Sequence, residues 1–355
     1  MLLNLTPIKF FCLSIIILAI SCNARPSNIL FHKVIIDDTT SRFLIRVNKK
    51  CGFIDNYGKE VINPQFAAGN PFSEGLAFVK IDRNNKGYIN SKGDFAIRLR
   101  GYAGLDFHEG LGVLISEGDS IPHTIIIDKK GSITYEGDCD IISEFSESLA
   151  VARSNGKFGY VDKYGAFIIK PSFGLSYPFA NGLARVYFNG SWGYIGMDGH
   201  FVIEPKYSLA EDFAEGLAAV KLTTKNNPGY VYIDLVGNIV IDKAMDYTEK
   251  YSEGLAFYAV TNGAQKKFGF IDKNGQNVIP EIYSEAKNFS EGVAPVIISS
   301  KWGYINKEGK TVIPPKFDYA GEFNDGLAFV AFGNIEGYIN HSGTFVWEGQ
   351  RTKIN

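Results

Sequence analysis

The stretch Lys301-Trp302-Gly303-Tyr304-Ile305-Asn306-Lys307-Glu308-Gly309-Lys310-Thr311-Val312-Ile313-Pro314-Pro315 recurs in paler copies from near residue 50 to the C-terminus. Counted on the glycine or its equivalent, the copies fall at Gly52, Gly87, Ile125, Gly159, Gly193, Val231, Gly269, Gly303 and Gly337, a step of 34 to 38 residues. A period of this size constrains the fold more than any other feature, because each unit is one supersecondary element that cannot bury its apolar face alone. A second signature alternates with the first, as in Phe72-Ser73-Glu74-Gly75-Leu76-Ala77 and Phe323-Asn324-Asp325-Gly326-Leu327-Ala328. From each glycine of the first signature to that of the second the distance is always 23 residues, whereas the return varies from 11 to 15. Every insertion therefore falls in one place in the unit.

Leu327-Ala328-Phe329-Val330-Ala331-Phe332 is apolar on both parities and Gly337-Tyr338-Ile339-Asn340 is rich in aromatic and β-branched residues, so the two predict a hairpin of strands buried on both faces. After the second of these strands an Asp or Asn is followed three residues later by Gly, from Asp55 with Gly58 to Asn340 with Gly343, which is type I turn chemistry. The fifth copy alone departs, with Gly196 in the first place. A further strand, such as Phe201-Val202-Ile203 or Thr311-Val312-Ile313, is expected to stop at a proline (Pro64, Pro171, Pro205, Pro280, Pro314), which cannot donate to a ladder. No stretch holds a 3.6-residue apolar period. The pattern predicts an all-β tandem array of nine repeats of three to four strands each, open and superhelical or solenoid-like because the step varies and the end copies are degraded. The alternative is a closed, propeller-like ring, sealed by a strand near Val34-Ile35-Ile36, since closure removes exposed edges.

Repetition also accounts for most residues that would otherwise suggest chemistry. Of 38 glycines, 23 hold repeat positions, so no phosphate-cradling loop is needed, and Gly309-Lys310-Thr311 lacks the first glycine and the helix of a P-loop. His32, His108, His123, His200 and His341 occupy unrelated places in the unit and pair with no Cys or His at metal spacing. The recurring carboxylates Glu74, Glu109, Glu147, Glu215, Glu253, Glu291 and Asp325 could form a cation-binding ladder, but the simpler expectation is that each caps its own turn. No catalytic residue, metal or cofactor is expected, and the chain is not expected to be an enzyme. A formal charge of -2 supplies no basic field for phosphates, so nucleic acid is not expected as a partner.

Residues 1–22 stand outside the repeat. Lys9 precedes the apolar run Phe10-Phe11-Cys12-Leu13-Ser14-Ile15-Ile16-Ile17-Leu18-Ala19-Ile20, of the length of a secretory signal core and too short to span a bilayer comfortably. The following Ser21-Cys22 resembles the lipobox of bacterial lipoproteins, which implies that Cys22 is acylated and becomes the mature N-terminus, with several chains giving a stable anchor. Residues 23–40 then read as a tether with a possible capping strand, and 41–355 as the array. Cys51 stands where other copies have Trp192 or Trp302 and is expected to be a small core residue, unbridged to Cys139.

Lys301-Trp302-Gly303-Tyr304-Ile305-Asn306, Ser191-Trp192-Gly193-Tyr194-Ile195, Lys157-Phe158-Gly159-Tyr160-Val161-Asp162 and Lys267-Phe268-Gly269-Phe270-Ile271-Asp272, interleaved with the Phe-Ser-Glu-Gly-Leu-Ala units, resemble the WG (KWG) repeat family of bacterial proteins over residues 40 to 348. The resemblance implies binding or scaffolding, often at the cell envelope, and carries no catalytic residues. The expected function is therefore a lipid-anchored, non-enzymatic binding or adhesion module in the bacterial envelope, on the outer membrane, facing the periplasm or exposed at the surface, with a protein or glycan ligand. The alternatives are a cell-wall or carbohydrate binder using Trp192, Trp302 and Phe158 as platforms, although the size of such side chains favours the core, and a structural spacer. Because insertions collect at hairpin tips that should share one rim, the candidate binding residues are Arg83, Asn84, Asn85, Glu117, Asp119, His123, Lys225, Asn226, Asn227, Gln265 and Lys266.

Overall fold

The computed structural model describes residues 29–32, 34, 36–119, 122–222, 229–262 and 265–351. The leader, Cys22, and the candidate residues Lys225, Asn226 and Asn227 lie outside the described residues. Among the described residues there is no helix, and none is therefore long and apolar enough to cross a membrane.

Each repeat is an antiparallel meander of up to four strands. In repeat 2 these are Ala68–Gly69, Ala77–Lys80, Lys86–Ile89 and Phe95–Leu99. In repeat 9 they are Tyr319–Asn324, Leu327–Phe332, Ile335–Ile339 and Phe345–Gln350. The second and third strands are buried on both faces, as their continuous apolar character predicts. The Asp-to-Gly turns form as expected: Asp55 Oδ1 accepts from the amides of Tyr57 (2.9 Å) and Lys59 (3.0 Å), and Gly58 takes a φ of 85°. In the fifth copy Asp198, two residues after Gly196, accepts from His200 N instead.

The prolines do not end the fourth strand. In repeats 1, 4, 5, 7 and 8 the strand runs on through the proline, for example Glu60–Phe66 through Pro64, with a bulge opposite the Trp-Gly position. The chain can do this because the fourth strand alternates exposed and buried residues at the edge of its ladder, where a missing N–H costs no pairing. The bulge explains the glycine of the first signature. A Cβ on Gly303 would lie 2.8 Å from Ile313 O and Pro315 N, and on Gly52 2.6 Å from Ile62 O and Pro64 N. The third strand must be bare where the bulged backbone crosses it.

Nine apolar clusters hold the repeats together, and each spans two adjacent repeats. Eight join consecutive units; one, for instance, sets Trp302, Tyr304, Ile313 and Phe317 of repeat 8 against Ala320, Phe323, Ala328 and Val330 of repeat 9. The ninth joins the two ends, with Phe43, Ile45 and Ile54 of repeat 1 packed on Leu327 of repeat 9. The tandem all-β architecture thus stacks from unit to unit in solenoid fashion, and the stacking continues across the chain ends, which makes the array the closed ring held as the alternative. The same contact recurs at most steps: the turn glycine of one repeat sits on a β-branched residue of the preceding fourth strand, as Gly343 on Ile313, Gly309 on Ile279 and, across the ends, Gly58 on Val346, while Gly165 sits on the Tyr135 ring.

Closure differs from expectation in its means. The strand Ile29–Phe31 does not seal the ring; it extends repeat 2 by pairing Ile29 with Leu99 and Leu30 with Arg98. Repeat 1 has three strands, Phe43–Val47, Lys50–Ile54 and Glu60–Phe66, and meets repeat 9 directly. Cys51 and Cys139 are buried and free, as expected of small core residues. The seam cluster has four fully buried members where the others have seven to twelve. Phe43→Ala should cost about 3 kcal/mol in urea unfolding. Hydrogen exchange should locate the damage, with faster exchange in Phe43–Val47 and Ile335–Ile339 and none in Lys157–Val161; uniform acceleration would contradict a local seam.

Candidate functional site

The antiparallel meander gives the ring two faces. The Phe-Ser-Glu-Gly turns, between first and second strands, and the Asp-to-Gly turns, between third and fourth, emerge on one face; the variable tips between second and third strands emerge on the other.

On the first face the recurring carboxylates are structural, but not as expected. All but Asp325 cap the turn of the next repeat rather than their own. Glu74 accepts from Gly110 N (2.9 Å), Glu147 from Gly182 N (3.0 Å), Glu253 from Gly292 N (3.0 Å) and Glu291 from Gly326 N (3.1 Å). Asn181 does the same for Gly216 N at 2.9 Å. The neighbouring serine reinforces the link, Ser146 Oγ donating to Phe179 O (2.8 Å) and Ser252 Oγ to Phe289 O (2.7 Å). A cation from the next repeat's turn completes it, as in Lys273 with Glu215 (2.9 Å) and Lys307 with Glu253 (3.2 Å). The glutamates hold these positions at left-handed φ of 49° to 53°, a conformation that costs a non-glycine residue about 1 to 2 kcal/mol. The inter-repeat bond offsets that local strain. Among the described residues no group of three or more His, Cys, Asp or Glu is placed to hold a metal ion.

Partial burial works to raise the Glu215 pKa, but the hydrogen bonds from Lys273 and from Gly254 N outweigh it and hold the carboxyl below its usual range. A folded-state pKa below the unfolded one gives stability that is full above the unfolded value and is lost as pH falls through the folded value. Glu215→Gln should therefore lower the urea midpoint at neutral pH and make less difference under acid conditions; an equal deficit at both would refute the ionic staple.

The other face carries the predicted rim residues at separate places around the ring. Arg83, Asn84 and Asn85 are exposed at the tip of repeat 2, where Asp82 caps the loop through Asn84 N (2.8 Å) and Asn85 N (2.9 Å). In repeat 3, Glu117 pairs with the buried Lys86 of repeat 2, and His123 lies buried between Asp138 (2.9 Å) and Glu136 (3.4 Å), so these two serve the loops themselves. Asp119 is exposed beside them. Gln265 and Lys266 are exposed at the tip of repeat 7.

At repeat 7 a predicted rim residue borders a cavity. Lys266 shares a space of about 410 Å³ with Tyr247, Phe257 and Phe268 of repeat 7 and Lys287 and Trp302 of repeat 8. The Lys266 ammonium stands 4.3 Å from the Tyr247 ring centre and 5.2 Å from that of Phe268. Lys287 stands 5.1 Å from Trp302 and 4.1 Å from Tyr319, and donates to Ala320 O at 2.8 Å. Neither ammonium has a carboxylate partner among the described residues. By contrast Arg185, 3.7 Å above Tyr177 in repeat 5, is neutralised by Glu211 and Asp212. The sequence pointed to Lys266 through its insertion but not to Lys287, which follows the bridge residue Ala286 in a connection that carries no insertion; only the stacking of repeat 8 on repeat 7 sets the two together. Trp302 is buried, as core membership required, while Trp192 is half-buried against Tyr177 and Tyr187.

The fold and both faces define a repeat-built all-β protein of the binding or interaction kind, its recurring polar residues largely consumed in holding the ring. The chain belongs to the WG-repeat family: the model of the WG containing repeat matches residues 52–86, 126–158, 158–192, 192–223, 268–302 and 302–334. No curated protein matches it. Among solved structures it is similar to Hsv2p of Kluyveromyces lactis, at 11% identity and a TM-score of 0.36 over 79% of this chain and 95% of that one. It is also similar to prolyl oligopeptidase B from Galerina marginata, at 12% identity and a TM-score of 0.42 over 82% of this chain and 51% of that one. A third is the extracellular domain of BT3049 from B. thetaiotaomicron, at 9% identity and 0.27 over 87% and 50%. These likenesses are too remote to bear on function.

Proposed function

We propose that this chain is a non-enzymatic binding module, displayed in the bacterial envelope on an acylated Cys22, that takes an anionic group of its ligand into the cavity between repeats 7 and 8. The observation that carries the reading is the pair of ammonium groups, Lys266 and Lys287, held over aromatic rings at a cavity on the variable rim, neither in an ion pair among the described residues and together outnumbering the one carboxylate, Glu285, that also lines it. A cation fixed over a ring is partly desolvated and pre-ordered, so it binds an anion at lower entropic cost than a free surface lysine. The same arrangement weighs against sugar stacking at Trp302, because Lys287 stands near the ring and the indole is buried. Carboxylates of an acidic protein segment or of an acidic glycan supply the chemistry that fits. The envelope location rests on the leader sequence alone.

Binding of polyglutamate and of polygalacturonate to the purified array distinguishes the two sources of carboxylate. Lys266→Ala, at an exposed position, should weaken binding of the preferred polymer about tenfold and flatten its salt dependence; unchanged binding would remove the cavity from the account. Intact-mass analysis of the protein from native membranes should show a mature N-terminus at an acylated Cys22, and an unmodified cysteine would remove the anchor while leaving the array.

A further inference from the structure

Repeats 2 to 9 each receive a first strand, or in repeat 8 a bridge at Ala286, from the residues that follow the preceding fourth strand, and among the described residues repeat 1 has none. The consequence shows in two places. Elsewhere the buried tyrosine of the third strand donates to the end of the next repeat's first strand: Tyr160 to Tyr177 O (2.8 Å), Tyr194 to Glu211 O (2.7 Å) and Tyr304 to Gly321 O (2.8 Å). At the seam Tyr338 donates to Leu44 O, on the second strand, at 2.8 Å. The strand Phe43–Val47 pairs on one side with Lys50–Ile54 and, among the described residues, with no strand on the other, where Leu44 O holds only the Tyr338 hydroxyl. In repeat 2 the equivalent edge is used, Asn70 N donating to Phe78 O (2.9 Å) and Ala67 N to Lys80 O (2.7 Å); Leu44 and Arg46 hold those places in repeat 1.

Where the missing strand would enter its turn, a groove of about 400 Å³ opens between repeats 9, 1 and 2. Its floor is apolar, with Phe43, Phe329 and Tyr338, and its rim carries the carboxylates of Asp38, Glu74, Glu322 and Asp325 against the single cation Arg42. Lys129 reaches Asp38 (3.2 Å) and Glu74 (3.3 Å), while Asp325, whose counterparts staple the next repeat, makes no hydrogen bond or ion pair among the described residues. In repeat 1 Ser41 stands in the place of the glycine that Asp325 would cap, and the staple onward to repeat 2 is missing as well, because Thr40 stands in the glutamate's place and donates to Asp37.

We propose that this groove is a peptide-binding site: it accepts an extended segment of a partner protein carrying a lysine or arginine, which pairs with the open edge of Phe43–Val47 as the missing first strand of repeat 1. Main-chain pairing supplies affinity, and the acidic rim selects a basic side chain at alternate positions. The site lies on the face opposite the cavity of repeats 7 and 8 and is independent of it.

The test uses the full mature chain and a capped hexapeptide of alternating lysine and valine, with two controls: the same peptide N-methylated at alternate residues, and a glutamate-valine counterpart. The lysine peptide should bind and slow the hydrogen exchange of the Leu44 and Arg46 amides. N-methylation, which keeps the charge and removes the donors, should weaken it at least about tenfold, as should Glu322→Lys combined with Asp325→Lys in a protein whose thermal unfolding is unchanged. Binding indifferent to N-methylation, or equal for the glutamate peptide, would overturn the pairing or the charge selection. Binding seen only after removal of residues 352–355 would overturn the proposal in favour of the chain's own C-terminal segment as occupant. Because Lys266 and Lys287 take no part, these outcomes are separable from failure of the rim cavity.

Discussion

The whole structure depends on the contact between one repeat and the next. A three- or four-stranded meander of this length has two apolar faces and no core of its own, so its stability is that of the interface it shares. The glycine of the first signature makes this contact possible. By leaving the third strand bare it lets the fourth strand bulge inward at its proline, which brings Ile62, Ile203 or Ile313 under the turn glycine of the following unit. Two backbone approaches, one within a repeat and one between repeats, therefore set the spacing, and the aromatic layer fills what they enclose.

The polar residues of the second signature act on the same interface from its edge. Glutamate in a left-handed turn is a locally poor choice, since asparagine or glycine would sit there with less strain. Its recurrence makes sense only through the amide of the next repeat, which no inspection of a single unit would reveal. With the acidic ladder, the serines and several lysines committed to these bonds, little polar chemistry is left on that face except at the seam, where the ladder is interrupted.

The two candidate sites arise from departures from the repeat rather than from the repeat itself. At repeats 7 and 8 an insertion carries Lys266 over an aromatic wall, and Lys287 of the next repeat lines the same cavity, with Glu285 the one carboxylate beside them. At the ends, repeat 1 has no first strand among the described residues, so an open edge and a carboxylate outside the staple ladder meet in the same groove. The opposite charge of the two places suits different ligands on opposite faces.

The sequence alone determined what is local or periodic: the all-β character, the strand pairs, the Asp-to-Gly turns, the confinement of insertions to one tip and the burial of Cys51 and Trp302. These follow from residue type and spacing within one unit. It also marked Lys266 by its insertion, and did not mark Lys287, Phe329 or Tyr338, whose neighbours come from another repeat. That the prolines lie inside the fourth strands, that each glutamate caps the following turn, and that repeat 1 closes on repeat 9 were decided only in three dimensions. Whether an array ends open or meets itself depends on the small rotation added at each interface, a sum over nine contacts that no single unit encodes in readable form.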